Sequence, residues 1–285
     1  MKLTELFENK PTTTVIMESG SMAGVGAIHI SEIEPTLKQL EKDTGLKLIG
    51  NTLGSVGKKE FSGDIDIAVN ITRDQIPELL KKLQQSPIIS DSKAHGLIVM
   101  SSADIIGYRD DLESPRERTG KVQVDFMLSD DPDWLKTYYH APHENDSKYK
   151  GALRNIAVSA LCNFLDRDES DEKTQDGRPL WTEKYYFSPS KGLIKSKRAL
   201  KARKDGKGYT KSFDEEITGG PWKRGPEIAK VLGLDSADDL YSFETVFKAV
   251  EKNHGPEITK KLAHYMNDSR DVQSLGVPQE LKAYL

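Results

Sequence analysis

The chain has 285 residues, with 41 basic and 45 acidic side chains, 36% hydrophobic residues and one cysteine. This length accommodates one large domain or two smaller ones. The lone Cys162 excludes an intrachain disulfide and a thiolate cluster for zinc or iron–sulfur, so a reducing, cytoplasmic setting is expected. No apolar run approaches the roughly 20 residues of a membrane span, and the first residues read as too few and too acidic for a signal peptide. The net charge of −4 excludes a wholly basic nucleic-acid coat but not a local patch.

Residues 1–30, with Gly20, Gly24 and Gly26, read as an N-terminal arm. Ser31 and Glu34 fit a capping box ahead of a helix over Glu32–Asp43, which Gly45 should end. Leu46–Ile49 alternates as a strand, and a glycine-rich turn follows. Ile65–Ile71 alternates strictly, with Asp66 turned away from the side of Ile65 and Ile67. A helix is predicted from Gln75 to Gln85, a short apolar strand at Leu97–Met100, and a solvated loop from Asp104 to Gly120. Val122–Leu128 alternates again, placing Asp125 on the face of Gln123 and Met127. Lys150–Leu165 reads as an apolar helix, and the acidic run Asp166–Asp176 as a linker and candidate boundary. A hairpin is expected over Trp181–Lys197, then short helices at Glu227–Leu232, Phe243–Lys252, Glu257–Tyr265 and Gln279–Tyr284.

Asp64, Asp66 and Asp125 each interrupt or flank an alternating apolar strand, where an unpaired charge costs several kcal/mol. Three such carboxylates are explained most simply by a divalent-cation site, and hard oxygen donors suit Mg²⁺ or Mn²⁺. Upstream stands Leu53-Gly54-Ser55-Val56-Gly57, a turn whose backbone amides and hydroxyl, if it leads into a helix, form a phosphate cradle; Lys58 and Lys59 follow. A phosphate turn, two carboxylates on one strand and a third on a later strand suit metal-assisted attack on a nucleoside triphosphate.

Gly54-Ser55, then Asp64-Ile65-Asp66, then Asp125 in Val-Asp-Phe resembles the signature of the DNA-polymerase-β-like nucleotidyltransferase superfamily, which includes CCA-adding enzymes, poly(A) polymerases and antibiotic nucleotidyltransferases. The resemblance covers about Leu46 to Leu165. It departs from the common pattern in a compact gap between Ser55 and Asp64 and in Gly63, where many members carry serine. It implies a mixed-sheet α/β core with helices packed on it, two Mg²⁺ ions held by Asp64, Asp66 and Asp125, and phosphates held by Gly54 and Ser55. It also nominates Lys148, Lys150 and Arg154 as triphosphate contacts, because a basic residue after the third-carboxylate strand often serves that role.

Residues 191–211 hold nine basic side chains (191, 195, 197, 198, 201, 203, 204, 207, 211) against Asp205 alone. Lys195, Lys197, Arg198, Lys201, Arg203 and Lys204 are therefore candidate contacts to a nucleic-acid backbone. The organisation expected is an arm over 1–30, a catalytic domain over 31–170, and a β/basic connector with a helical acceptor-binding domain over 171–285. The expected activity is transfer of a nucleoside monophosphate from NTP to a hydroxyl, with an RNA 3′ end such as that of tRNA as acceptor. Two alternatives remain: the same chemistry on a small-molecule or protein hydroxyl, and a non-catalytic nucleic-acid-binding protein that keeps the fold.

Overall fold

A computed structural model of the protein describes residues 22–143, 145–203 and 208–285. Most of the expected arm, and Lys204 and Lys207 of the basic stretch, lie outside the described residues. The architecture is α+β, with a mixed and an antiparallel four-stranded sheet. Its two compact units divide between Ala152 and Leu153. No helix among the described residues is long and apolar enough to cross a membrane.

The first unit opens with β1 (Ile28–His29) and α1 (Ile30–Thr44). The helix starts earlier than the expected Ser31 cap: His29 is the N-cap, its ring accepting the Ser31 amide, and Glu32 closes the capping box on the His29 amide at 3.0 Å. Glu32 also forms a buried ion pair with Arg118, a tertiary partner invisible in the local pattern. Gly45 ends the helix at φ 71°, as expected.

Leu46–Ile49 forms no strand. The Glu41 carboxylate accepts the Leu48 and Ile49 amides at 2.6 and 2.9 Å, so backbone that alternates like a strand is folded against α1 instead. The turn at Gly54-Ser55 does not lead into a helix either. Gly57 takes φ 71°, and the chain returns through β2 (Phe61–Ser62) into β3 (Asp64–Asn70), leaving no length for helical turns.

After β3 come α2 (Ile76–Gln85), β4 (Ile89–His95), β5 (Ile98–Asp104) and β6 (Lys121–Ser129). The sheet order is β3-β6-β5-β4, with β3 parallel to β6 and the other pairs antiparallel. Strand β4 lacks apolar alternation because it is an edge strand, largely exposed. One sheet face buries Ile65, Ile67, Val124 and Phe126 against Ile33, Leu37 and Leu40 of α1 and Leu79 and Leu83 of α2. Burial of this set supplies the main stabilisation of the unit, at roughly 25 cal/mol per Å² of apolar surface. The period of two then sends Asp64, Asp66, Gln123 and Asp125 to the opposite face. Residues 51–54 run along the free edge of β3, with Leu53 N–H to Asp66 O at 2.8 Å and Ala68 N–H to Asn51 O at 2.9 Å. Helix α3 (Pro132–Tyr138) follows β6.

The unit boundary falls within α4 (Gly151–Leu161), earlier than the acidic run suggested. That run is not a free linker: Asp168–Glu169 is β7, paired with β8 (Trp181–Ser188). β9 (Gly192–Ala202) and β10 (Tyr209–Trp222) complete an antiparallel sheet ordered β10-β9-β8-β7, extending the expected hairpin by a third long strand. The helical remainder comprises α5 (Gly225–Val231), α6 (Phe243–Asp268) and α7 (Arg270–Leu275). Gly255, at φ 75° and ψ 179°, breaks α6 ahead of Pro256, separating the two helices expected there.

Candidate metal centre

The parallel pairing of β3 and β6 sets Asp66 directly across from Asp125 and Asp64 across from Gln123. Residues opposite one another share a face, so the register alone gathers the three carboxylates. One oxygen from each lies within 4.8 Å of the others. Asp125 is only 4% exposed, whereas Asp64 and Asp66 are half-buried.

This cluster opposes its own ionisation. Burial, then repulsion by Asp64 and Asp125, pushes the Asp66 carboxyl up to about 8. Burial likewise lifts Asp125 to about 6, against the Gln123 hydrogen bond and the charge of Lys93, with Asp64 adding to the rise. Asp64 is raised by burial and partly relieved by the charge of Arg116. Three acids that discourage one another's charge are offset most effectively by a bound cation. The donor set fits a divalent ion: all three candidate ligands are carboxylate oxygens, the hard donors that Mg²⁺ and Mn²⁺ take. The triad can hold a metal ion.

Gln123, 4% exposed, donates from Nε2 to both Asp125 oxygens at 2.9 and 3.2 Å, and its Oε1 accepts the Met22 amide at 2.9 Å. Alternation alone placed Gln123 beside Asp125; its positioning role needed the distances. No local sequence pattern marks Lys93, which sits on the polar edge strand β4, across Met100 from Asp125.

The Gly54-Ser55 turn does lie at the triad. Gly54 has φ 60°, and a Cβ there would stand 3.8 Å from Asp66 Oδ2. Its amide donates to Tyr139 O at 3.1 Å, so it is not open to a phosphate; the exposed element of the turn is Ser55. Lys58 is half-buried and hydrogen-bonds through Nζ to the Ala141 carbonyl, a structural tie rather than an open cation.

Lys148 and Lys150 are exposed ahead of α4, with Lys148 Nζ 5.0 Å from the Tyr149 ring centroid. Arg154 departs from its nominated role. It is 3% exposed, and its Nε donates to Leu240 O at 2.5 Å and its Nη1 to Asn155 Oδ1 at 2.8 Å, making it an internal strut of the second unit.

The basic stretch is largely matched by acids. β10 folds Asp214, Glu215 and Glu216 back onto β9, across from Ala199, Arg198 and Lys197. Glu215 pairs with Lys191 and Arg198, Asp214 with Lys201 at 2.8 Å, and Asp166 with Lys195. Lys197 lies over the Trp181 ring at 4.0 Å, between Glu183 and Glu216 in register. Arg203 is exposed at the end of β9, and Lys204 lies outside the described residues. A charge count that stops at residue 211 misses the acidic strand that answers it.

No protein-family model matches the chain, and no curated protein matches it either.

Proposed function

We propose that the protein is a nucleotidyltransferase of the DNA-polymerase-β-like type, moving a nucleoside monophosphate from an NTP to an acceptor hydroxyl with release of pyrophosphate. The observation that carries this reading is the convergence of Asp64, Asp66 and Asp125 on the face of a mixed sheet opposite α1 and α2, beside the Gly54-Ser55 turn. Asp64 and Asp66 would hold Mg²⁺ or Mn²⁺ together with Asp125, in a two-ion site. The metal supplies charge neutralisation for the triphosphate and a lowered pKa for the acceptor hydroxyl. Asp125, oriented by Gln123, would accept the hydroxyl proton at a carboxylate oxygen. Ser55 would donate its hydroxyl to a phosphate oxygen.

An RNA 3′ end is one acceptor reading, supported by the density of lysine and arginine in residues 191–211. A small-molecule or protein hydroxyl is the other, favoured by the ion pairs that engage Lys191, Lys195, Arg198 and Lys201. Incubation with each α-labelled NTP and Mg²⁺, with and without a small-RNA pool, separates them. Label on RNA, lost at high salt, supports the first; label on protein or a small product with no RNA present supports the second. Pyrophosphate release that persists in Asp66→Asn would contradict the assignment of the site.

A further inference from the structure

The loop between β5 and β6 carries a cation to the metal centre. Its C-terminal half is rigidly anchored. Arg118 pairs with Glu32 at 2.8 Å, donates to Arg109 O at 2.8 Å, and lies over the rings of Phe61 and Tyr108 at 5.4 and 4.8 Å. Glu117 O accepts the Ala27 amide at 2.8 Å, and Ile105 N–H donates to Gly120 O at 2.8 Å. Pro115 restricts the backbone before Arg116, whose own amide donates to Ser114 Oγ at 3.1 Å.

This frame places the Arg116 guanidinium against Gly63, the residue immediately before Asp64. A methyl group at Gly63 would overlap Arg116 Nη1, and Cζ lies 3.5 Å from the same point. Arg116 is exposed, and its guanidinium makes no hydrogen bond among the described residues; it influences Asp64 through charge alone. A dedicated structural ion pair would use the guanidinium fork on the carboxylate. Here a guanidinium with five N–H donors is held at the rim of the carboxylate cluster by an anchored loop.

We infer that Arg116 is the triphosphate-gripping residue of the site, and that glycine at position 63 makes room for it. The inference rests on the nucleotidyltransferase reading and extends it. Without metal, Arg116 offsets part of the charge of Asp64; with cations on the triad, it would offer its fork to phosphates bound there, where planar bidentate recognition suits an arginine. Gly63, a departure from the family's usual serine, and the absence of Arg154 from this role then have one explanation: the cation comes from the loop before the third-carboxylate strand.

The test is calorimetric titration of the full chain with inorganic tripolyphosphate in the presence of Mg²⁺, alongside Mn²⁺ binding to the same proteins. Arg116→Gln is expected to weaken tripolyphosphate binding about tenfold or more, and Arg116→Lys by less, since lysine keeps the charge but not the fork. Gly63→Ala should reproduce the Arg116→Gln loss by displacing the guanidinium, and the double variant should lose no more than either single one. Mn²⁺ binding should persist in all of them. If Arg116→Gln leaves tripolyphosphate binding unchanged and only tightens Mn²⁺, Arg116 is a charge partner of Asp64 and the inference is overturned. Wild-type protein that binds Mn²⁺ but no tripolyphosphate overturns both this inference and the nucleotidyltransferase reading.

Discussion

Gln123 Nε2 donates to both carboxylate oxygens of Asp125, at 2.9 and 3.2 Å, while its Oε1 is held by the Met22 amide at 2.9 Å. The Met22 contact sets which end of the amide faces the metal centre, because a flipped Gln123 would oppose carbonyl to carboxylate. Residues that orient a ligand in this way are typically worth 10- to 100-fold in metal affinity or activity. Gln123→Leu is therefore expected to lower kcat by about that range, with a smaller change in the KM for NTP. Steady-state kinetics at several Mg²⁺ concentrations will check it, and a raised half-saturating Mg²⁺ concentration is the accompanying sign.

Asp66 experiences burial and like charge together. Asp66→Asn removes a repelling group from the metal-free site and should stabilise that form by on the order of 1–2 kcal/mol near pH 8, after allowance for its partial exposure. The same variant should lose the stabilisation that Mg²⁺ gives the wild type. Thermal melts in EDTA and in Mg²⁺ read both effects from one protein pair.

The carboxyl pKa values give a sign for pH dependence. In the folded protein burial pushes the Asp66 and Asp125 carboxyls up to about 8 and about 6, against 3.8 as the ordinary aspartate value. Between those limits the native state binds more protons than the unfolded chain, so stability without metal falls as pH rises. The decline should run from about pH 4, with Asp125 complete beyond pH 6 and Asp66 beyond pH 8. Mg²⁺ binds the ionised form, so its stabilising effect should grow over the same window. Denaturant titrations across pH, with and without Mg²⁺, should show the two curves diverging.

Glu215 answers two cations, Lys191 and Arg198, and its side chain is only 18% exposed. Glu215→Ala should cost about 1–2 kcal/mol, between the values for surface and buried pairs, because it leaves Arg198 half-buried without its carboxylate. If the sheet is also a nucleic-acid surface, the variant should bind RNA more tightly while melting earlier. Melting temperature and filter binding distinguish a structural role from an electrostatic one.

Gly54 at φ 60° is in the left-handed region. Gly54→Ala should lose about 1 kcal/mol from backbone strain alone, since the added Cβ meets only ordinary van der Waals contact. Any larger loss of activity than of stability would mark the turn's closeness to Asp66 as functional.

The elements legible in the sequence were those with one buried face. Strands β3 and β6 announce themselves because Ile65, Ile67, Val124 and Phe126 alternate with residues that cannot be buried alone, and that same alternation exposed the three aspartates. Edge strand β4 was not legible because Ser90, Asp91 and Lys93 need no apolar partner. Leu46–Ile49 misled because a side chain, Glu41, took amides that a neighbouring strand would otherwise use. Arg154 misled because a helix pattern does not reveal that a cation's partner is the carbonyl of Leu240. The charge balance of residues 191–211 was not legible for a similar reason: counter-charges lie on the next strand and at Asp166, paired by topology rather than by proximity in sequence.

The proposed function depends on Asp64, Asp66 and Asp125 binding divalent cations together. Electron paramagnetic resonance of Mn²⁺ titrated with the protein measures this directly, because bound Mn²⁺ leaves the free-ion signal. The wild type is expected to deplete that signal saturably, with Mg²⁺ competing, and Asp66→Asn and Asp125→Asn to fail although both remain folded. Undiminished Mn²⁺ binding in either folded variant, or none in the wild type, would contradict it.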